Sequence, residues 1–374
     1  VMTCVLGMVV RREREIRAFV KTPFYRVVSS IALEGESFEG EWRAVEGSRY
    51  FQSPVLYKEN GFKKKEDAQK LICELSTQQP LICTVEKIER KKENKNPPLL
   101  FNLAELQNVC SKLFKISPDE TLSIVQDLYE KKLVTYPRTD ARVLSTAVAK
   151  EIYKNISGLR NYPQAGEAAQ GALELGAYKN IAKTRYTNDK QITDHYAIIP
   201  TGQGLGALKG LSLTAQRVYE TIVRRFLSIF YPPAVYQKVS LVTKMENESF
   251  FSSFKVLLSE GYLKIAANSF AKKSMAEASG KTPESEGEGE VSCDEALLAA
   301  LQKLKKGDIL NINGLGIKEG ETSPPKRYNS GSMILAMENA GQLIEDEDLR
   351  SQIKGSGIGT SATRAEILKK LFNI

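Results

Sequence analysis

The first 45 residues carry two successive hydrophobic patterns. Apolar side chains recur at helical spacing among charged ones at Val5, Met8, Val9, Ile16 and Phe19. This spacing predicts an amphipathic helix at the start of the chain. Residues 23–42 then alternate apolar and polar positions around a Glu-Gly break at Gly35, a pattern typical of a β-hairpin.

The pattern changes again on either side of a charged segment at residues 90–98. Before it, residues 50–90 predict a Lys-rich turn, a helix from Glu66 to Leu75 and a strand. The segment itself ends in two prolines and predicts a loop at a domain boundary. After it, residues 99–231 are helical in pattern, with N-terminal caps expected at Asn102 and Ser117.

The remainder of the chain returns to strands and then to helices. Residues 235–266 predict strands, and residues 303–318 contain two further short strand-like runs. Residues 272–290 are of low complexity and acidic towards their end, which predicts a mobile loop. Residues 331–374 are helical in pattern again. A helical unit inserted between β-rich flanks indicates a multidomain α+β protein.

Composition narrows the function classes. The 374 residues are 42% hydrophobic and carry 53 Lys and Arg against 45 Asp and Glu, for a net charge of +8. This is globular composition, and the length suggests two or three domains. No apolar run reaches the roughly 18 residues of a membrane span, and no secretory signal is expected. The basic charge fits a polyanion partner as well as an ordinary basic surface.

The cysteine and histidine content argues against several kinds of site. Five cysteines without a C-x-x-C pair indicate a reducing cytosol and argue against a disulfide scaffold or a zinc ribbon. A single histidine, His195, excludes metal sites built from several histidines. Both ends of the sequence fall within helical runs, so we expect the chain to be a piece of a larger protein.

The strongest candidate chemistry lies in residues 133–140, LVTYPRTD. Pro137 disfavours helical geometry at Tyr136, so the phenol is expected on a short rigid connection after a helix. Arg138 lies two residues on and would point to the same side in an extended segment. A nearby cation favours the phenolate, and a guanidinium grips a phosphate with two hydrogen bonds. The pair fits a nucleophile with a phosphate clamp, but it also fits a packed tyrosine and an Arg138–Asp140 ion pair.

Residues 123–140 resemble the active-site segment of the type IA DNA topoisomerases. Matches to other family motifs follow in the same order over nearly the whole chain. They are Val1-Met2-Thr3, RREREIRAF, Thr193-Asp194-His195 with Ala197–Thr201, Pro324–Tyr328, Gly357–Thr360 and Ala362–Arg364. The motif forms T-Y-P-R-T-D-x-R and G-T-x-A-T-R resemble the topoisomerase III branch more than the topoisomerase I branch.

The resemblance implies a toroid in which a β-rich arch carries an inserted, mainly helical domain with the tyrosine. The first segment of domain IV would be residues 1–45, and its second segment residues 312–374. Domain II would be residues 46–98 and 232–311. Domain III would be residues 99–231.

The resemblance also implies a reaction and its residues. Tyr136 would attack a phosphodiester of single-stranded DNA and form a 5′-phosphotyrosine, Arg138 would hold the phosphate, and His195 would orient it or move protons. Strand passage and reversal would relax or decatenate DNA without ATP. The implied DNA-binding residues are Thr3, Asp140, Arg327, Tyr328, Thr360, Thr363 and Arg364. Arg327 and Tyr328 fit closure of domain IV equally well, and the Gly-x-Gly before Thr363 fits a tight turn.

The chain departs from the family in its missing Toprim domain. The acidic Mg²⁺ ligands of the family, and the glutamate and lysine that assist the tyrosine, would precede Val1. We therefore expect no metal site in this chain and no DNA cleavage by this chain alone. The opening segment carries Met2 and Cys4 where relatives often have Gln and Pro, which puts its contacts in doubt. A monomer in the bacterial cytoplasm, associated with the nucleoid, is expected.

Three alternatives remain open at the level of sequence. A type IB topoisomerase or tyrosine recombinase would form a 3′-phosphotyrosine instead. A single-stranded DNA-binding module could keep the same fold without cleavage. A reverse gyrase core would need a helicase domain with a Walker A loop.

Overall fold

The computed structural model of the protein describes residues 1–271, 290–292, 295–343 and 357–372. The loop predicted at 272–290 lies almost entirely outside the described residues, as does part of the helical run predicted at 331–374. Within the described ranges, no helix combines the length and the apolar character needed to cross a membrane.

The order of elements follows the three hydrophobic patterns of the sequence. The helices are α1 Met2–Ala18, α2 Lys65–Leu75, α3 Leu103–Phe114, α4 Pro118–Glu130, α5 Thr146–Glu151, α6 Tyr153–Gly158, α7 Gly166–Leu175, α8 Leu213–Ser228, α9 Leu263–Ala266, α10 Glu295–Lys303, α11 Ser330–Glu338 and α12 Arg364–Phe372. The strands are β1 Pro23–Leu33, β2 Glu36–Arg43, β3 Leu56–Lys58, β4 Gly61–Phe62, β5 Ile82–Lys95, β6 Ala234–Met245, β7 Glu248–Ser259, β8 Glu290–Ser292 and β9 Ile309–Glu321. Short 3₁₀ turns lie at Leu159–Asn161, Ala177–Lys183, Asp189–Gln191, Leu205–Gly210 and Ala340–Leu343.

Six long strands close into a ring in the order β1, β2, β7, β6, β5, β9 and back to β1, with every neighbour antiparallel. The predicted hairpin is confirmed, because β1 pairs with β2 from Val28↔Glu41 to Leu33↔Glu36. Alternate side chains of β1 point into a core that also includes α2 and α10. Trp42 stacks on Phe62 in this core, with ring centroids 4.9 Å apart. The closed ring leaves these six strands fewer open edges, which limits edge-to-edge pairing.

Three local predictions were wrong. Residues 90–95 belong to β5, because their backbone pairs with β6 from Arg90↔Val239 to Lys95↔Ala234 while most of their charged side chains stay exposed. Residues 263–266 form the short helix α9 after a turn at Gly261. A Cβ at Gly261 would meet the carbonyl oxygens of Pro232 and Pro233, so the turn needs glycine. The two short runs predicted at 303–318 form one strand, β9, which pairs with β5 at its start and with β1 from Ile312 to Glu321 across one register shift.

The inserted helical unit has its own hydrophobic core, formed by residues from Leu100 to Phe230. The predicted caps are confirmed: the Asn102 side chain accepts from the Glu105 amide, and the Ser117 side chain accepts from the Glu120 amide. A third apolar cluster joins α1, α11 and α12 to Ala104 of α3. The predicted division into domains stays a prediction. Strand β9 crosses the predicted boundary between domains II and IV at 311/312. Strands β1 and β2, assigned to domain IV, lie in the same ring as the strands assigned to domain II.

Candidate active site

Tyr136 lies on an irregular segment six residues after the end of α4, outside any helix as the proline predicted. The chain leaves α4 through Lys132, whose φ of 61° turns it sharply. Val134 then forms an isolated antiparallel bridge with Pro200. The Tyr136 loop, residues 133–140, therefore runs beside the segment that begins at His195.

Two threonines fasten the Tyr136 loop to the histidine segment. The Thr135 hydroxyl donates to the Ala197 carbonyl and accepts from the Ile199 amide, both at 3.0 Å. The Thr139 hydroxyl donates to the carbonyl of His195 at 2.8 Å. Because the two threonines lie on either side of Tyr136, their three bonds couple the position of the phenol to the position of His195.

The ring of Tyr136 lies between two other rings. Its centroid is 4.3 Å from that of His195 at a tilt of 41°, and 5.4 Å from that of Tyr129, which packs edge-on. His195 and Tyr129 are exposed and Tyr136 is half-buried, so a large ligand can reach the phenol. Sequence reasoning missed the contact with Tyr129, although the residue lies one helical turn before the loop and within the quoted motif.

Arg138 brings a third segment of the chain to this place. Its guanidinium donates to the carbonyl of Ala362, with a nitrogen–oxygen distance of 3.4 Å. Ala362 belongs to the turn at residues 357–363 that leads into α12. The motifs around Tyr136, His195 and Ala362 are therefore neighbours, although more than 160 residues separate the last two in sequence.

The turn at residues 357–363 presents two exposed threonines. Gly359 has a φ of 70°, which favours glycine, as the tight-turn interpretation predicted. The Thr363 hydroxyl accepts from the Thr360 amide at 3.0 Å and lies 3.2 Å from the Thr360 hydroxyl. Both hydroxyls are open to solvent at the start of α12, where backbone amides and a helix dipole favour an anion.

Arg364 and Asp140 are paired with each other. Arg364 is 4% exposed, and its Nη1 donates to Asp140 Oδ1 at 2.8 Å. Its other donors bond the carbonyls of Ile358 and Gly359 at 3.3 and 3.1 Å. Direct DNA contact by Arg364 stays a prediction, and the described geometry gives its guanidinium three protein partners. Asp140 pairs with Arg364, whereas the sequence left open a pair with Arg138.

The remaining predicted DNA contacts lie along α1. Arg327 forms a two-bond ion pair with Glu13, at 2.8 and 3.1 Å. The Arg12 guanidinium stacks 4.2 Å from the ring centroid of Tyr328 and bonds its hydroxyl. Thr3 is exposed on the same helix. These contacts support the alternative that Arg327 and Tyr328 close residues 326–328 onto α1, and DNA contact by the three residues stays a prediction.

Burial raises the pKa of two ionisable groups near the loop. Tyr196, next to His195, has a raised pKa because of burial. Burial also raises the pKa of the Glu338 carboxyl in α11, against the lowering effect of Arg364 and of a hydrogen bond from Asn102. Among the described residues, no three His, Cys, Asp or Glu side chains are grouped as metal ligands.

Comparison with known proteins gives one consistent result. A family model described as DNA topoisomerase matches residues 1–374. Similar curated proteins include DNA topoisomerase 3 of Bacillus licheniformis, 32% identical, and of Bacillus subtilis, 31% identical, each over 377 aligned residues and the whole of this chain. The chain spans 46% of the length of each of these relatives.

A solved structure shares the fold. Full-length topoisomerase I from Thermotoga maritima superposes over the whole chain with a TM-score of 0.62 at 22% identity, and this chain covers 50% of it. The mixed helix and strand content and the closed ring of strands are therefore those of a known fold.

Proposed function

Because this chain belongs to the type IA DNA topoisomerase family, and resembles its topoisomerase III members, we propose that it carries the tyrosine that cuts and rejoins single-stranded DNA. Tyr136 is the nucleophile, and Arg138 and His195 are the groups that handle the phosphate. Relaxation and decatenation of DNA without ATP are the activities of the intact protein.

One observation carries this proposal. Three segments far apart in sequence meet at one partly open place, where the ring of Tyr136 contacts that of His195 and Arg138 bonds the carbonyl of Ala362. A tyrosine that served only packing would not need an exposed imidazole, a guanidinium and a threonine-bearing helix start around it. This combination provides a nucleophile, a guanidinium cation, an imidazole and anion-binding groups for a phosphodiester.

The proposed step balances in bonds and protons. The Tyr136 oxygen forms a bond to phosphorus while the bond from phosphorus to the 3′-oxygen breaks. The phenol proton leaves and the 3′-oxygen gains a proton, so the product is a 5′-phosphotyrosine and a free 3′-hydroxyl. The Arg138 guanidinium stabilises the charge that develops on the non-bridging oxygens. The reverse attack by the 3′-hydroxyl restores the strand, so no ATP is consumed.

The whole protein is proposed to supply what this chain does not hold. The longer relatives contain as much sequence again, and a Toprim domain there would bring the acidic Mg²⁺ ligands and the groups that assist Tyr136. The assembled protein would be a monomeric toroid with domains II, III and IV as mapped on the sequence, in the bacterial cytoplasm at the nucleoid. Relaxation of supercoiled DNA by this chain alone in Mg²⁺ would contradict this division of labour.

The test uses the intact protein that contains this chain, with Tyr136 and with Tyr136→Phe. Each is incubated with single-stranded DNA labelled at its 3′ end and quenched with detergent. We expect label at the size of the protein with Tyr136 and none with phenylalanine. Label that moves to the protein only from 5′-labelled DNA would favour a 3′-linking enzyme. Tight binding without an adduct from either DNA would favour a binding module.

A further inference from the structure

Four polar side chains from four segments meet at the last residue of the Tyr136 loop, Asp140. We call Asn102, Asp140, Glu338 and Arg364 the polar cluster. The Asn102 Nδ2 donates to the backbone carbonyl of Asp140 at 3.1 Å and to Glu338 Oε1 at 2.6 Å. Arg364 Nη1 completes the cluster by its bond of 2.8 Å to the Asp140 carboxylate.

Three members of the polar cluster are shielded from water, while the side chain of Asp140 is 53% exposed. Asn102 is 1% exposed and Arg364 is 4% exposed, while Glu338 is half-buried. A buried polar group that loses its hydrogen-bond partner destabilises the fold, so the bond between Asn102 and Glu338 favours this arrangement strongly. The four side chains therefore hold one another in a defined arrangement.

Each half of the polar cluster is also tied to one functional loop. The Leu103 amide, next to Asn102, donates to the carbonyl of Thr139 in the Tyr136 loop at 3.1 Å. The Ile358 amide donates to the carbonyl of Met337, next to Glu338, at 2.8 Å. A side chain at Gly357 would meet the carbonyls of Met337 and Glu338 at 2.6 and 2.7 Å, so the turn lies directly on the end of α11.

We propose that Asn102 and Glu338 are positioning residues that hold the Tyr136 loop against the turn at residues 357–363. They act through Asp140 and Arg364, which link the two loops, and they touch no DNA themselves. The inference rests on the proposed function, because it assigns the two residues a part in presenting Tyr136 to the phosphate. If the bonds of the polar cluster are lost, the Tyr136 loop and the turn can move apart, and the bond from Arg138 to the Ala362 carbonyl is weakened.

The decisive variant is Asn102→Asp in the intact protein. An aspartate keeps the oxygen that caps α3 but replaces the two donated bonds by a carboxylate beside an acceptor carbonyl and Glu338. The matched control is Asn329→Asp, because Asn329 caps α11 in the same way. We expect Asn102→Asp to slow adduct formation at saturating DNA about tenfold or more, as the loss of one such bond implies. The dissociation constant for single-stranded DNA should stay within about twofold of the wild type.

A swapped pair distinguishes positioning from general damage. Adding Glu338→Gln to Asn102→Asp restores a donor opposite an acceptor, since the Gln amide can donate to the new carboxylate. The double variant should recover part of the lost rate, because the bond to the Asp140 carbonyl stays lost, whereas Glu338→Ala in the same background should recover none. Equal rates for the Gln and Ala backgrounds would overturn the proposal.

The outcomes separate the inference from the function on which it rests. A wild-type protein without an adduct contradicts the proposed function. A wild type that forms the adduct, with Asn102→Asp as fast as Asn329→Asp, contradicts the inference alone. Thermal unfolding shows whether Asn102→Asp folds. If it does not, the single variants Glu338→Gln and Glu338→Ala decide. Near-normal cleavage with Gln and slow cleavage with Ala support the proposal, and equal rates overturn it.

Discussion

At the scale of single residues, hydroxyls that bond backbone groups fasten the Tyr136 loop to the segment around His195. Thr135 and Thr139 fix the Tyr136 loop to the chain around His195 by bonds of 2.8 to 3.0 Å. Such short polar side chains compete well for nearby backbone groups and hold irregular segments in one conformation. A loop fixed in this way presents a nucleophile without the flexibility of an ordinary surface loop.

Replacement of Thr135 by valine should destabilise the chain by about 1–3 kcal/mol, because it leaves the buried Ile199 amide and Ala197 carbonyl without the hydroxyl. Chemical denaturation of the chain measures this difference. Thr77→Val is the control, since the Thr77 hydroxyl bonds an exposed carbonyl and its loss should stay within about 0.5 kcal/mol. Equal effects of the two substitutions would contradict the assigned role of Thr135.

Burial of Cys110 makes the free energy of unfolding fall as the pH rises above 9. Burial raises the pKa of this thiol from 9.0 to about 12. A raised pKa stabilises the fold fully below pH 9, and this contribution is lost as the pH rises from 9 towards 12, because the unfolded thiol ionises first. The loss approaches about 1.4 kcal/mol for each pH unit in that window.

The measurement for Cys110 compares urea unfolding of the wild type and Cys110→Ala at pH 8 and pH 11. Buried tyrosines also titrate at high pH, so the difference between the two proteins isolates the thiol. The advantage of the wild type over alanine should shrink markedly at the higher pH. A difference that stays constant between the two pH values would show that the thiol ionises equally in both states.

At the scale of elements, the amphipathic helices and the paired strands were predictable because their side-chain periods are explicit in the sequence. The hairpin at β1 and β2 and the caps of α3 and α4 are examples. The charged end of β5 was not predictable, since backbone pairing with β6, rather than burial of its side chains, holds it in the sheet.

The candidate site divides in the same way. Local sequence was enough to place Tyr136 outside a helix, because Pro137 acts on its immediate neighbour. The pairing of Asp140 with Arg364 and the bond of Glu338 to Asn102 join residues more than 220 positions apart. No local spacing encodes such contacts, so only the folded chain reveals them.

The packing of α11 on α3 depends on a glycine. A Cβ at Gly331 would come within 2.9 Å of the Ser111 Cβ and 3.0 Å of the Asn108 Cα. Gly331→Ala should therefore push the helices apart and lower the free energy of unfolding by about 1–3 kcal/mol. It should also slow adduct formation, because the polar cluster spans the same pair of helices.

Gly7→Ala in α1 is the control for Gly331→Ala. Nothing lies within 4 Å of a Cβ at Gly7, so alanine there should stabilise the helix by about 0.5–1 kcal/mol. Thermal unfolding of both variants gives the comparison. Stabilisation by both substitutions would contradict close packing of α11 on α3.

At the scale of the whole molecule, a closed ring of strands and an inserted helical unit are joined through more than the two connecting chain segments. Glu220 of α8 accepts from the Ser269 amide at 2.6 Å and its hydroxyl at 2.7 Å, and Arg224 donates to the carbonyl of Ile265. These bonds fasten the segment that follows β7 onto the helical unit. The helical unit that carries the Tyr136 loop is therefore bonded to the segment after β7, and through Asp140 and Asn102 to α12 and α11.

The most direct test of the account identifies the residue that becomes linked to DNA. The intact protein is incubated with single-stranded DNA, the adduct is digested with nuclease and trypsin, and the modified peptide is sequenced by mass spectrometry. We expect nucleotide on the tryptic peptide 133–138, LVTYPR, attached to Tyr136 through a 5′-phosphate. Nucleotide on another tyrosine, or attachment through a 3′-phosphate, would contradict the account.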